Sequence, residues 1–215
     1  MKVKICGITN VGDALMACEF GADLVGVVVS EESKRKVNVE EAKKILDSVP
    51  ENVLKVVVTT ATEVNELQKI ADEIKPKVIQ MHGEINPGGL EKLKFNGKLT
   101  KCIAVEPFLE KKLHQKIDYA EYMKRYDMVD FFLLDSKAKG IIGGTGVVHN
   151  WDVSEEIVKI SEKPVFLAGG LNPENVKKAI EKVKPYGVDV ASGVEKETGK
   201  KDLEKVREFI RGAKE

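Results

Sequence analysis

The chain has 215 residues, 42% of them hydrophobic, with 35 basic and 35 acidic side chains. That length carries a sizeable core, and zero net charge excludes the basic excess that a general nucleic-acid or membrane-surface binder needs. No apolar run approaches the ~20 residues of a membrane span, and the N-terminus enters a strand pattern without signal-peptide features, so a cytoplasmic protein is expected.

The charged fraction of 33% is rich in Lys and Glu, a thermophile-like pattern of surface ion pairs. The cysteines, Cys6, Cys18 and Cys102, are odd in number and far apart. Neither a disulfide framework nor a cysteine-pair zinc site is expected. Cys18 and Cys102 read as buried small hydrophobes.

Strand and helix patterns alternate along the whole chain. Short, β-branched, nearly continuous apolar runs predict strands over 2–6, 23–29, 53–58, 77–82, 99–105, 128–135, 164–168 and 187–192. Helical periodicity and start signals predict helices over 11–20, 39–48, 61–74, 87–94, 109–125, 153–160, 173–183 and 202–213. Eight β/α pairs without a linker point to one domain, residues 1–215, of α/β class: a small (β/α)8 TIM barrel. An open doubly wound sheet is the competing fold.

In a barrel, chemistry belongs at the C-terminal ends of the strands. The distinctive residues fall there: Cys6-Gly7 after the first strand, Lys34-Arg35-Lys36 after the second, Gln80-Met81-His82-Gly83 at the fourth, Asp135 at the sixth. Glycine-rich stretches follow the sixth, seventh and eighth strands: Gly140–Gly146, Gly169-Gly170 and Ser192-Gly193. Glycines after the seventh and eighth strands suit a phosphate cradle. Tight turns without a ligand are the plainer reading. The stretch around Gly144 is not a Walker loop and reads as a loop closing over substrate.

Asp135 ends an apolar run. Desolvation there raises a carboxyl toward general-acid use; an N-cap, or an ion pair with Lys137 or Lys139, is the alternative. Cys6 is a buried inert thiol or a rim base. Period-two alternation puts Lys4 on the inner face of the first strand below Cys6 and Val3 and Ile5 on the outer face. A buried lysine needs a partner, and Asp189 on the eighth strand is the candidate; the lysine charge would then favour the Cys6 thiolate. Arg35 reads as a solvated basic turn or a two-point grip on a carboxylate. His82 is a rim ligand or a simple hydrogen-bonding residue. His82, His114 and His149 lack metal-ligand spacing, so no metal is expected.

The chain resembles the phosphoribosylanthranilate isomerases of tryptophan biosynthesis over nearly its whole length. The resemblance rests on Lys4-Ile5-Cys6-Gly7-Ile8-Thr9, Gln80-Met81-His82-Gly83-Glu84, Leu134-Asp135-Ser136 with Gly143-Gly144-Thr145-Gly146, Leu167-Ala168-Gly169-Gly170-Leu171-Asn172-Pro173, and Val188-Asp189-Val190-Ala191-Ser192-Gly193-Val194-Glu195. It implies a cofactor-free barrel that performs an Amadori rearrangement of N-(5-phosphoribosyl)anthranilate. Cys6 would be the general base and Asp135 the general acid. Arg35 would hold the anthranilate carboxylate, and Gly169, Gly170, Ser192 and Gly193 the phosphate. Gln80, His82, Gly144 and Asp189 complete the expected substrate-binding set. Where the family has Ser-Pro-Arg-Tyr, Phe-Asp-Trp and Pro-Gly-Xaa-Lys-Asp, this chain has Ser33-Lys34-Arg35-Lys36, His149-Asn150-Trp151 and Thr198-Gly199-Lys200-Lys201-Asp202. The expected partner is a small phosphorylated molecule, not nucleic acid or membrane, and the oligomer is a monomer or homodimer. The rivals are another phosphosugar isomerase or epimerase, the tryptophan synthase α subunit, and a non-catalytic phosphate-ligand-binding barrel.

Overall fold

A computed structural model describes residues 1–105, 118–138, 141–142 and 149–215, with only the backbone at 137–138 and 141–142. Strands and helices alternate in the predicted order. β1 (Lys2–Ile5) runs to α1 (Val11–Glu19), β2 (Leu24–Val28) to α2 (Val39–Ser48), β3 (Leu54–Thr59) to α3 (Val64–Ile74) and β4 (Val78–Met81) to α4 (Pro87–Leu90). β5 (Lys98–Val105) precedes α5 (Tyr119–Arg125), and β6 (Phe131–Ala138) and a short β7 (Ile141–Ile142) precede α6 (Trp151–Ile160). β8 (Val165–Leu167) leads to α7 (Val176–Val183). β9 (Gly187–Val190) leads through a hairpin of β10 (Glu195–Glu197) and β11 (Lys200–Lys201) to α8 (Leu203–Lys214).

The parallel strands are ordered β1-β2-β3-β4-β5-β6-β8-β9, and β9 pairs with β1, which closes an eight-stranded (β/α)8 TIM barrel. Strand alternation divides the core in two. Val3, Ile5, Ile79, Met81, Phe132, Leu134 and Val188 pack outward beneath the helices. Cys6, Leu24, Val56, Val58, Val78, Cys102, Phe131, Leu133, Phe166 and Ala168 fill the barrel interior. Polar side chains at the same parity, Lys4, Gln80, Asp135 and Asp189, therefore enter that interior and are buried.

The helices start where side chains satisfy their first N–H groups. Asn38 and Glu41 form a reciprocal capping box on α2, and Asp202 accepts from Lys205 N on α8. Several bounds differ from the sequence reading. α3 starts at Val64 rather than 61, after an extended Glu63. α4 is one turn, because Gly88-Gly89 favours the helix poorly. α6 begins at Trp151, capped by Asn150. Asn172-Pro173 is not a helix start: Asn172 Oδ1 accepts from Glu174 N and Asn175 N, closing a turn ahead of α7. β6 starts at Phe131 and continues past Asp135 to Ala138, where it pairs antiparallel with β7. Cys18 is half-buried, not in the core. Residues 109–117, with His114, lie outside the described residues; so do Gly140, Gly144 and the rest of the glycine-rich stretch apart from the backbone of 141–142. Among the described residues no helix is long and apolar enough to cross a membrane.

Candidate active site

The C-terminal rim is assembled from β1, β2, β4, β6, β8 and β9 and the segments that follow them. Cys6 follows β1 directly, 7% exposed, at the top of the inner face that carries Lys4. Lys4 Nζ donates to Asp189 Oδ2 at 2.8 Å, and the two residues are register partners across β1 and β9. Alternation and strand order predicted that pair. Burial opposes the Lys4 ammonium, but the Asp189 carboxylate and the Cys6 thiol outweigh it and hold the lysine above its ordinary range.

Burial pushes the Cys6 thiol up; the Lys4 charge opposes it without cancelling it. The lysine thus acts in the direction the sequence reading expected, toward the thiolate, against the larger effect of burial. Asp135 is 9% exposed and its carboxyl is raised to about 6, first by burial and then by the Asp189 charge. Its Oδ1 accepts from the Ser136 N–H at 2.8 Å, which opposes the shift. The expected direction of the shift is present. An ion pair of Asp135 with Lys137 or Lys139 concerns side chains outside the described residues.

Gln80 lies inside the barrel, 2% exposed, and its Nε2 meets His82 Nε2 at 2.8 Å. With the amide donating, His82 accepts on Nε2 and carries its proton on Nδ1. Burial, and then the charges of Lys4 and Lys101, lower His82 to about 3, so it is neutral. His82, Cys102 and Asp135 bring potential ligand atoms within 4.8 Å of one another, a convergence their sequence spacing does not reveal. The lysine charges that add to burial in keeping His82 neutral also oppose a dication there.

Arg35 is not a solvated turn residue. Its Nε and Nη2 donate to Glu195 Oε1 and Oε2 at 2.6 and 2.7 Å. Lys201, whose side chain is fully buried, donates to Glu195 Oε1 at 3.1 Å and to the Ala191 carbonyl at 2.9 Å. Against burial, Arg35 and Lys201 hold the Glu195 carboxyl below its usual range. The sequence reading missed this Arg35–Glu195–Lys201 network. Only its Glu195–Lys201 half had a local signal, the Thr198-Gly199 turn, where Gly199 takes φ +81° and pairs the two short charged strands.

Gly169 and Gly170, after β8, have φ of +79° and +68°, a backbone shape that side chains disfavour. Ser192 opens a single 3-10 turn after β9, and a Cβ on Gly193 would overlap the Leu171 carbonyl. The two glycine turns therefore abut. The structure thus brings Cys6, Arg35, Gln80, His82, Asp135, Asp189 and the glycines of both turns to one end of the barrel. Gly144 is outside the described residues.

A family model described as "PRAI: N-(5'phosphoribosyl)anthranilate (PRA) isomerase" matches residues 3–212. The chain belongs to the phosphoribosylanthranilate isomerase family. An N-(5'-phosphoribosyl)anthranilate isomerase of Bacillus cereus (strain B4264) is 43% identical over 179 residues, 83% of this chain and 81% of that protein. The structure of N-(5'-phosphoribosyl)anthranilate isomerase from Pyrococcus furiosus superposes with a TM-score of 0.85 at 34% identity, covering 100% of this chain and 98% of that one. A phosphoribosyl anthranilate isomerase in complex with reduced 1-(o-carboxyphenylamino)-1-deoxyribulose 5-phosphate gives a TM-score of 0.79 at 34% identity, with the same coverage. As a phosphoribosylanthranilate isomerase, the chain is an enzyme of tryptophan biosynthesis.

Proposed function

We infer that this isomerase converts N-(5-phosphoribosyl)anthranilate to 1-(2-carboxyphenylamino)-1-deoxyribulose 5-phosphate by general acid-base catalysis, with Asp135 as acid and Cys6 as base. The observation that carries the reading is a buried carboxyl raised to about 6 and a thiol at one barrel end, in a chain matched by the family over residues 3–212.

The protonated Asp135 carboxyl donates to the ribose ring oxygen, and the ring opens to a protonated Schiff base. The Cys6 thiolate takes the proton from the adjacent sugar carbon, giving an enolamine that tautomerises to the ketone. The substrate is isomerised without net proton change, so Cys6 ends protonated and Asp135 ionised, and one proton must pass between them or through solvent before the next turnover. Each such group typically contributes ~10²–10⁴-fold. The Nη1 edge of Arg35, outside its pair with Glu195, receives the anthranilate carboxylate. Gly169, Gly170, Ser192 and Gly193 cradle the phosphate, and Gln80 and His82 contact the sugar. Fluorescence of N-(5-phosphoribosyl)anthranilate incubated with the purified protein tests the activity. Substrate fluorescence should decay with time; a trace that follows only spontaneous hydrolysis contradicts it.

A further inference from the structure

Lys4 and Asp189 are 2% and 6% exposed, and the chemistry above gives the lysine no task. Their placement is directional. In barrel order β6 carries Asp135, β8 follows, β9 carries Asp189, and β1 carries Lys4 and leads to Cys6. The carboxylate therefore stands on the Asp135 side of the ion pair and the ammonium on the Cys6 side. Over Gly26 of β2 the lysine and the thiol converge: a Cβ at that position would lie 3.1 Å from Cys6 Sγ, 3.1 Å from Lys4 Cε and 3.4 Å from Lys4 Nζ. At the other end Asp189 Oδ1 is buried without a hydrogen-bond partner among the described residues.

We propose that the Lys4–Asp189 pair is a buried dipole that sets the charge states of both catalytic groups at once, its positive end favouring a thiolate at Cys6 and its negative end a neutral carboxyl at Asp135. Both residues are positioning residues, and the proposal rests on the reading of Cys6 as base and Asp135 as acid. At Cys6 the Lys4 charge outweighs that of Asp189; at Asp135 the Asp189 charge outweighs that of Lys4. Cys6 also faces Lys201 of β11 and Arg35 after β2. Asp135 also faces the Ser136 N–H, neutral His82 after β4 and the thiol of Cys102 on β5. Because Asp135 sits near 6 and Cys6 above the ordinary thiol range, the competent pairing of thiolate with neutral carboxyl is the minority form at neutral pH. Its share depends on the gap between the two groups, and the dipole narrows that gap.

The test is the double variant Lys4→Met/Asp189→Asn, which removes the charges as a unit and strands neither in the interior. Iodoacetamide alkylation of Cys6, resolved by peptide mass from Cys18 and Cys102, is followed against pH beside the pH profile of kcat/KM. The alkylation midpoint should rise by about one pH unit or more. The kcat/KM plateau should fall at least about tenfold while its limbs move apart, the acid limb downward with Asp135 and the basic limb upward with Cys6. An unmoved midpoint with unmoved limbs, whatever the plateau, reduces the pair to a structural role and overturns the proposal. Lys4→Gln/Asp189→Asn, which keeps a polar pair in the interior without the charges, must move the midpoint in the same direction and covers the case of a first double variant that does not fold. Full turnover in Cys6→Ser would instead sink the acid-base reading, and the alkylation midpoint is read without activity.

Discussion

A general acid at Asp135 has to stay partly protonated where most carboxyls are ionised, and the burial that raises it to about 6 has a stability cost. Its folded value of about 6 lies above the unfolded range near 3.9. The native state therefore binds the extra proton between those values, and stability from this group falls as pH rises through about 6. Asp135→Asn should lose turnover yet gain on the order of 2 kcal/mol at pH 7, a gain that vanishes below about pH 4. Urea unfolding at the two pH values checks it; equal shifts at both contradict it. The rim positions of Cys6 and Asp135 were legible because each ends or interrupts an apolar strand, and so was the Lys4–Asp189 pair, because alternation leaves a buried lysine in need of an acid. Arg35 was half legible. Its position followed from the loop after β2, but its grip on Glu195 spans 160 residues and no local pattern encodes it. Glu195→Gln should raise KM for substrate by loosening Arg35 and should cost about 3 kcal/mol by stranding the buried Lys201. Steady-state kinetics and thermal melts read both, and an unchanged KM contradicts the positioning of Arg35.

At the scale of elements, strand centres were read correctly and most strand ends fell about one to three residues away. β6 runs three residues past Asp135, where Lys137 and Ala138 pair antiparallel with β7 beyond the apolar run that marks the strand. The Asn172-Pro173 signal marked a side-chain-closed turn, since an asparagine caps a turn as readily as a helix. The glycines of two elements should behave oppositely. Gly88 in α4 has ordinary φ, and a Cβ there meets nothing nearer than Asn86 Oδ1 at 3.7 Å. Gly88→Ala should add about 0.5–1 kcal/mol by restricting the unfolded chain. Gly193→Ala drives its Cβ into the Leu171 carbonyl and should weaken both stability and the binding of a phosphorylated product analogue. Melting curves and a binding titration separate the two. A destabilised Gly88→Ala, or a Gly193→Ala variant with unaltered binding, contradicts the account.

At the scale of the molecule, the period-two rule decides what faces the interior, and closure of β9 onto β1 decides which residues meet there. Eight short apolar strands with covering helices leave few arrangements other than a barrel, so the architecture was readable from spacing. The interior chemistry was less so. Cys102 lies beside Asp135 and His82 only because β4, β5 and β6 are neighbours in register, which no single strand shows. The central claim is that one thiol and one carboxyl on this rim carry the isomerisation. It is tested most directly by the turnover of Cys6→Ser and Asp135→Asn on N-(5-phosphoribosyl)anthranilate, measured beside their affinity for the reduced product analogue. Each variant should lose at least about 10²-fold in kcat while binding the analogue within a few-fold of the parent. Near-parental kcat in either variant would contradict the account.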